Sequence, residues 1–153
     1  DMFKKFTDVL LIACVVCGLS FSAIAETTAE DALDYRKAVM TTLKGHLLAA
    51  SMIVRGLADD DGYLVEHARG LANSAGEIHR VFQPGSAVGD SEALPVIWEQ
   101  PEKFKAALQK AADAAENFHR VAASGADKAA LGAAFKEVGM SCRGCHDDFR
   151  VAQ

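Results

Sequence analysis

Apolar residues recur along the chain at helical intervals, in four blocks separated by polar or proline-bearing stretches. In the first block Leu33, Met40, Leu43, Leu47, Ala50, Val54 and Leu57 form one stripe, with Arg36 occupying a seam position. The second stripe is Leu64, Ala68, Leu71, Ala75, Ile78 and Phe82, and the third is Phe104, Leu108, Ala111, Ala115, Phe118 and Ala122. The fourth is Leu131, Phe135, Val138, Cys142, Cys145 and Phe149. Steps of four and three alternate in the last three, the period of helices packed nearly parallel or antiparallel. Thr27 with Glu30, or Thr28 with Asp31, supplies a capping-box start to the first helix. Asp59-Asp60-Asp61-Gly62 and Ser124-Gly125-Ala126-Asp127 make short links. A longer connection, about residues 83–100, contains Pro84 and Pro95, and Pro101 suits the first turn of the helix that follows. Short links make neighbours antiparallel, so the pattern predicts an all-α fold, an up-down-up-down antiparallel four-helix bundle.

Composition agrees. The 153 residues suffice for one domain, and half of them are apolar. Alanine and leucine predominate over β-branched and aromatic residues, which favours helix over sheet. A net charge of -5 argues against a nucleic-acid partner. The first stretch has a different character: Lys4 and Lys5, an apolar run from Val9 to Phe21, then Ala23-Ile24-Ala25. This reads as a secretory signal peptide over residues 1–25, cleaved after Ala25, leaving a domain over residues 26–153. The apolar run is short for a membrane anchor, and Leu11-Ile12-Ala13 before Cys14 admits a lipoprotein signal. Cleavage removes Cys14 and Cys17, so the exported chain keeps only Cys142 and Cys145 and no membrane segment.

Those two cysteines carry the chemistry. Cys142-Arg143-Gly144-Cys145-His146 is a C-x-x-C-H motif, in which each thiol adds to a haem vinyl group and the adjacent histidine ligates the iron. Cys142 and His146 are four apart on a helix and share a face, with Cys145 on the seam between them. A thioredoxin-like pair would want a βαβ context. A structural zinc site would need a fourth ligand from the scattered His46, His67, His79 and His119, which read as surface or satisfied core residues. Outside haem chemistry, the pair would be a disulfide in a secreted helical interaction domain. No catalytic triad, carboxylate pair or phosphate loop is present, so no enzyme is predicted. With no methionine after His146, a sixth iron ligand must come from an earlier helix.

Three segments carry a resemblance: Asp34-Tyr35-Arg36-Lys37-Ala38-Val39-Met40, Pro95-Val96-Ile97-Trp98, and residues 142–150. With them the chain resembles cytochrome c prime, a class II cytochrome c family that includes low-spin, methionine-ligated relatives. Val96 stands where the family usually has an acidic residue. The resemblance implies a periplasmic bundle with one covalent haem c near one end, often a homodimer packed through its first two helices. It implies either one-electron exchange with a periplasmic redox partner, or a five-coordinate iron that binds nitric oxide or carbon monoxide. Met40 falls at the distal position, either as packing or as a thioether ligand. Arg36, on the same face, either meets the haem propionates or snorkels to solvent. Arg150 borders the proximal imidazole or is a solvated terminal charge. Trp98 covers a haem edge or simply packs the loop. Gly139 and Gly144 make room for a flat macrocycle or for tight helix packing.

Overall fold

The computed structural model describes residues 27–152. The signal-peptide reading, its cleavage point, Cys14 and Cys17 lie outside them. Four long helices form the bundle: α1 (Ala29–Val54), α2 (Tyr63–Glu77), α4 (Pro101–Ala123) and α5 (Lys128–Phe149), with a four-residue α3 (Val96–Glu99) in the long connection. Among the described residues there is no strand beyond one antiparallel bridge between Ala93 and Arg150.

The helix starts follow local chemistry. Of the two capping pairs at α1, Thr28 is the cap: its hydroxyl accepts from the Asp31 amide at 3.0 Å. Asp60 Oδ1 accepts the amides of Gly62 and Leu64, each at 3.1 Å, and Gly62 turns the chain with φ 91°. Pro101 opens α4, where a missing amide proton has no consequence. Asp127 caps α5 by accepting from the Ala130 amide at 2.8 Å. The second helix is shorter than its stripe: α2 stops at Glu77 and tightens into a 3-10 turn, Ile78–Arg80. That turn keeps Ile78 buried and Phe82 half-buried, so the stripe persists past the helix.

The seams differ in depth. On α2, Leu64, Ala68, Leu71 and Ala75 are buried, and on α4 all six seam residues are buried. On α1, Met40, Leu43, Leu47 and Val54 are only half-buried, as are Leu131, Phe135, Cys142 and Cys145 on α5. The cause is packing: α1 lies along α2, α2 along α4 and α4 along α5, but α1 and α5 meet sparingly. The bundle is therefore loosest between its first and last helices. At one end a chain of edge-on rings, Phe82–Phe104 at 4.9 Å and Phe104–Phe149 at 5.1 Å, joins the post-α2 turn to α4 and α5.

Candidate functional site

Helix α5 runs unbroken through the C-x-x-C-H motif and ends after Phe149. Cys142 and Cys145 are therefore held on consecutive turns, half-buried and with free thiols. Burial pushes both thiols up, Cys145 to about 11 with further contributions from Cys142 and Asp148. Thiols held so firmly protonated are poor nucleophiles and poor metal ligands, unlike the acidic thiol of a redox-active pair. His146 lies one turn beyond Cys142, more than a third exposed. Partial enclosure and then the Arg150 charge lower its pKa, against Asp147 and Glu92, so the neutral imidazole that iron ligation requires is favoured.

The C-terminal end of α5 is fastened to the loop before α3. Leu94 donates its amide to the Phe149 carbonyl at 3.0 Å, and Val151 donates to the Glu92 carbonyl at 2.8 Å. Arg150 Nε donates to Glu92 Oε2 at 2.7 Å. Arg150 is thus paired and half-buried beside the motif, not a solvated terminal charge.

Arg36 is 5% exposed, so it does not snorkel. Its Nη1 donates to Ser86 Oγ at 2.8 Å and, more weakly, to the Val81 carbonyl at 3.4 Å. Nη2 donates to the Ser86 carbonyl at 3.0 Å and to Ser91 Oγ at 2.9 Å. The guanidinium also lies 4.9 Å from the Phe82 ring centre. Burial lowers its pKa, yet a guanidinium stays charged at any physiological pH. Every one of these protein partners is neutral, which leaves the positive charge available to an anion. Phe82 links Arg36 to the aromatic chain ending at Phe149, so Arg36 and the end of α5 share one end of the bundle.

Met40 sits one turn after Arg36, half-buried against the core. Trp98 on α3 is half-buried and donates from Nε1 to the Phe82 carbonyl at 3.2 Å, which ties α3 to the turn after α2. Beside Gly139 and Gly144 an added Cβ would meet open space, so neither is required by tight helix packing. The half-buried apolar seams of α1 and α5, with two thiols on one and Arg36 and Met40 on the other, fit a flat apolar group bearing acidic substituents.

Ser86, Ser91, Val81 and Glu92 complete this site, and none was visible as a candidate in the sequence. Ser86, Ser91 and Glu92 lie in an aperiodic connection whose only sequence signals are its prolines and glycines, and Val81 acts through its backbone carbonyl.

A family model described as Cytochrome C' matches residues 31–150. The cytochrome c' of Pararhodospirillum photometricum is 34% identical over 119 residues, covering 77% of this chain and 94% of that protein. A solved structure of cytochrome c prime from Alcaligenes xylosoxidans, a ferrous variant with bound nitric oxide, superposes with a TM-score of 0.76 at 29% identity. It covers 84% of this chain and 99% of its own. The crystal structure of cytochrome c' from Rubrivivax gelatinosus gives a TM-score of 0.74 at 31% identity, covering 80% and 96%.

Proposed function

The chain belongs to the cytochrome c′ family, and on that premise we propose that it is an exported, periplasmic one-electron carrier. Family membership brings a covalent haem c with its iron, and the reading of Cys142 and Cys145 as a disulfide in a helical interaction domain falls. In our reading Cys142 and Cys145 form the thioethers and His146 supplies the proximal ligand. Arg36 faces the acidic edge of the group, and Met40 closes the distal side. Residues 1–25 act as the signal peptide, and the mature domain starts at Glu26. The protein turns over no substrate.

The observation that carries this reading is the half-burial of both thiols on the α5 seam, opposite the half-buried seam of α1. Bound haem c supplies a one-electron iron couple whose potential follows axial ligation, hydrogen bonding and burial. The chain's own residues set those conditions. His146 is biased towards its neutral form, Glu92 holds Arg150 beside it, and the buried Arg36 fixes the loop that carries Glu92 and Trp98. No described helix is long and apolar enough to cross a membrane. Leu48, Met52, Leu57 and Tyr63 leave an apolar surface around the α1–α2 hairpin, which supports a homodimer through these helices.

A second reading is binding of nitric oxide or carbon monoxide at the distal side. It is favoured by the nitric oxide complex of the A. xylosoxidans protein and by Met40, which packs half-buried against the core with no polar contact of its own among the described residues. Adding carbon monoxide to the reduced protein decides between them. A low-spin ferrous spectrum that does not move supports the carrier, and Met40→Ala then converts it to high spin. A shifted spectrum favours the gas-binding reading. A low-spin spectrum unchanged by Met40→Ala excludes Met40 as a ligand.

A further inference from the structure

Away from the C-x-x-C-H motif, two imidazoles meet across the α1–α2 interface. His46 and His67 place their Nδ1 atoms 3.2 Å apart, with ring centroids 5.5 Å apart and planes inclined by 56°. Both side chains are half-buried. Their contact depends on Gly70, three residues after His67. A Cβ at Gly70 would lie 2.4 Å from Nε2 and 2.5 Å from Cε1 of the His46 ring. Glycine weakens a helix interior, and here it lets the His46 ring lie against the α2 backbone with Nδ1 turned towards His67.

We propose that His46 and His67 form a binding site for a divalent ion of the later first transition row, of which Cu²⁺ binds most tightly, and that the ion clips α1 to α2. Imidazole nitrogen suits Zn²⁺, Ni²⁺ and Cu²⁺, and affinity rises to Cu²⁺ along that series of metals. Two nitrogens about 2.05 Å from one ion stand about 3.3 Å apart at a tetrahedral angle and about 2.9 Å apart at the right angle of tetragonal Cu²⁺. The observed separation of 3.2 Å lies between the two, so Cu²⁺ draws the nitrogens slightly closer. In the ion-free pair, the 5.5 Å centroid distance sets both nitrogens on the line between the rings, where one proton joins them. The ion takes the place of that proton, which passes to solvent or to an Nε2 atom, and sits off the line. The rings then swing inward, and their centroids close to about 5 Å by the same bond lengths. Among the described residues no group of three or more Cys, His, Asp and Glu converges. The site is therefore a two-imidazole chelate completed by water, and it depends on both rings being held.

The test uses the untagged haem-loaded protein titrated with Cu²⁺ alone, followed by calorimetry and electron paramagnetic resonance. The expected result is one Cu²⁺ per chain with hyperfine structure from two nitrogens and unchanged haem absorption bands. His46→Gln and His67→Gln each weaken binding by roughly tenfold or more and leave at most one nitrogen. Gly70→Ala removes no ligand but displaces the His46 ring, so it weakens Cu²⁺ by about 10- to 100-fold, as loss of ligand support does elsewhere. If Gly70→Ala fails to fold, the two glutamine variants still decide. Equal affinity in the wild type and both glutamine variants, or a one-nitrogen spectrum in the wild type, overturns the proposal.

Discussion

Replacing Arg36 by methionine tests whether the buried guanidinium organises the haem end of the bundle. Methionine keeps an unbranched side chain of similar reach and removes the charge together with all five donors. Three good hydrogen bonds are lost, at 2.8, 2.9 and 3.0 Å, together with the weaker one to Val81. Bonds from a charged donor contribute about 1.5–3 kcal/mol each, so the gross loss is roughly 5–9 kcal/mol. Against it stands relief from burying a charge among neutral partners, several kcal/mol by itself. Ser86 Oγ stays partly satisfied, because it still donates to the Gln83 carbonyl at 2.7 Å, whereas the Ser86 and Val81 carbonyls lose their Arg36 donors. The net expectation is a destabilisation of about 2–4 kcal/mol, which lowers Tm by roughly 10 °C for a domain of this size. The loop that Arg36 holds carries Glu92 and leads to Trp98, so the haem absorption bands should broaden or shift as well. Thermal melting followed at the haem bands and by far-ultraviolet circular dichroism measures both effects. A Tm within about 2 °C of wild type, with unchanged haem bands, would refute the reasoning: desolvation would then cancel the network.

Two further perturbations probe other parts of the fold. Phe118 is fully buried and meets Phe135 edge-on at 5.4 Å, so Phe118→Ala should cost about 3–5 kcal/mol. Chemical denaturation checks this, and a cost under about 1 kcal/mol would mean the core collapses around the deletion. Glu92→Gln removes the negative member of a half-exposed pair with Arg150, so stability should change by less than about 1 kcal/mol. The Arg150 charge beside His146 is then unbalanced, which favours the ferrous state and raises the reduction potential. Potentiometric titration tests the direction, and a fall would show that Arg150 does not act on the iron.

Much of the architecture was legible because it follows from a short period repeated many times. The Leu64-to-Phe82 and Phe104-to-Ala122 stripes predicted which residues face inward, and the α4 stripe is buried without exception. Thr28 and Pro101 announced helix starts because a cap is a local matter between neighbours in sequence. Helix α3 was not visible: four residues after Pro95 are too few to show a period. The early stop of α2 at Glu77 was hidden for the opposite reason, since a 3-10 turn carries Ile78 inward on nearly the same phase as a helix.

The candidate site divides along the same line. Cys142, Cys145 and His146 were readable because one helical segment fixes them relative to each other. Arg36 was readable as an anomaly, a charge on an apolar seam, but its partners were not. Ser86 and Ser91 are fifty and fifty-five residues away in an aperiodic loop, and only the folded chain brings them to the guanidinium. His46 and His67 looked scattered for a related reason. Their meeting depends on how α1 and α2 are rotated about their own axes, which no single stripe specifies. The unequal depth of the seams depends on all four helices at once. A stripe on α1 or α5 reads like one on α2 or α4, yet α1 and α5 stop short of closing on each other. The difference is therefore a property of assembly, and it is what leaves both thiols half-buried on α5 while Arg36 is buried on α1.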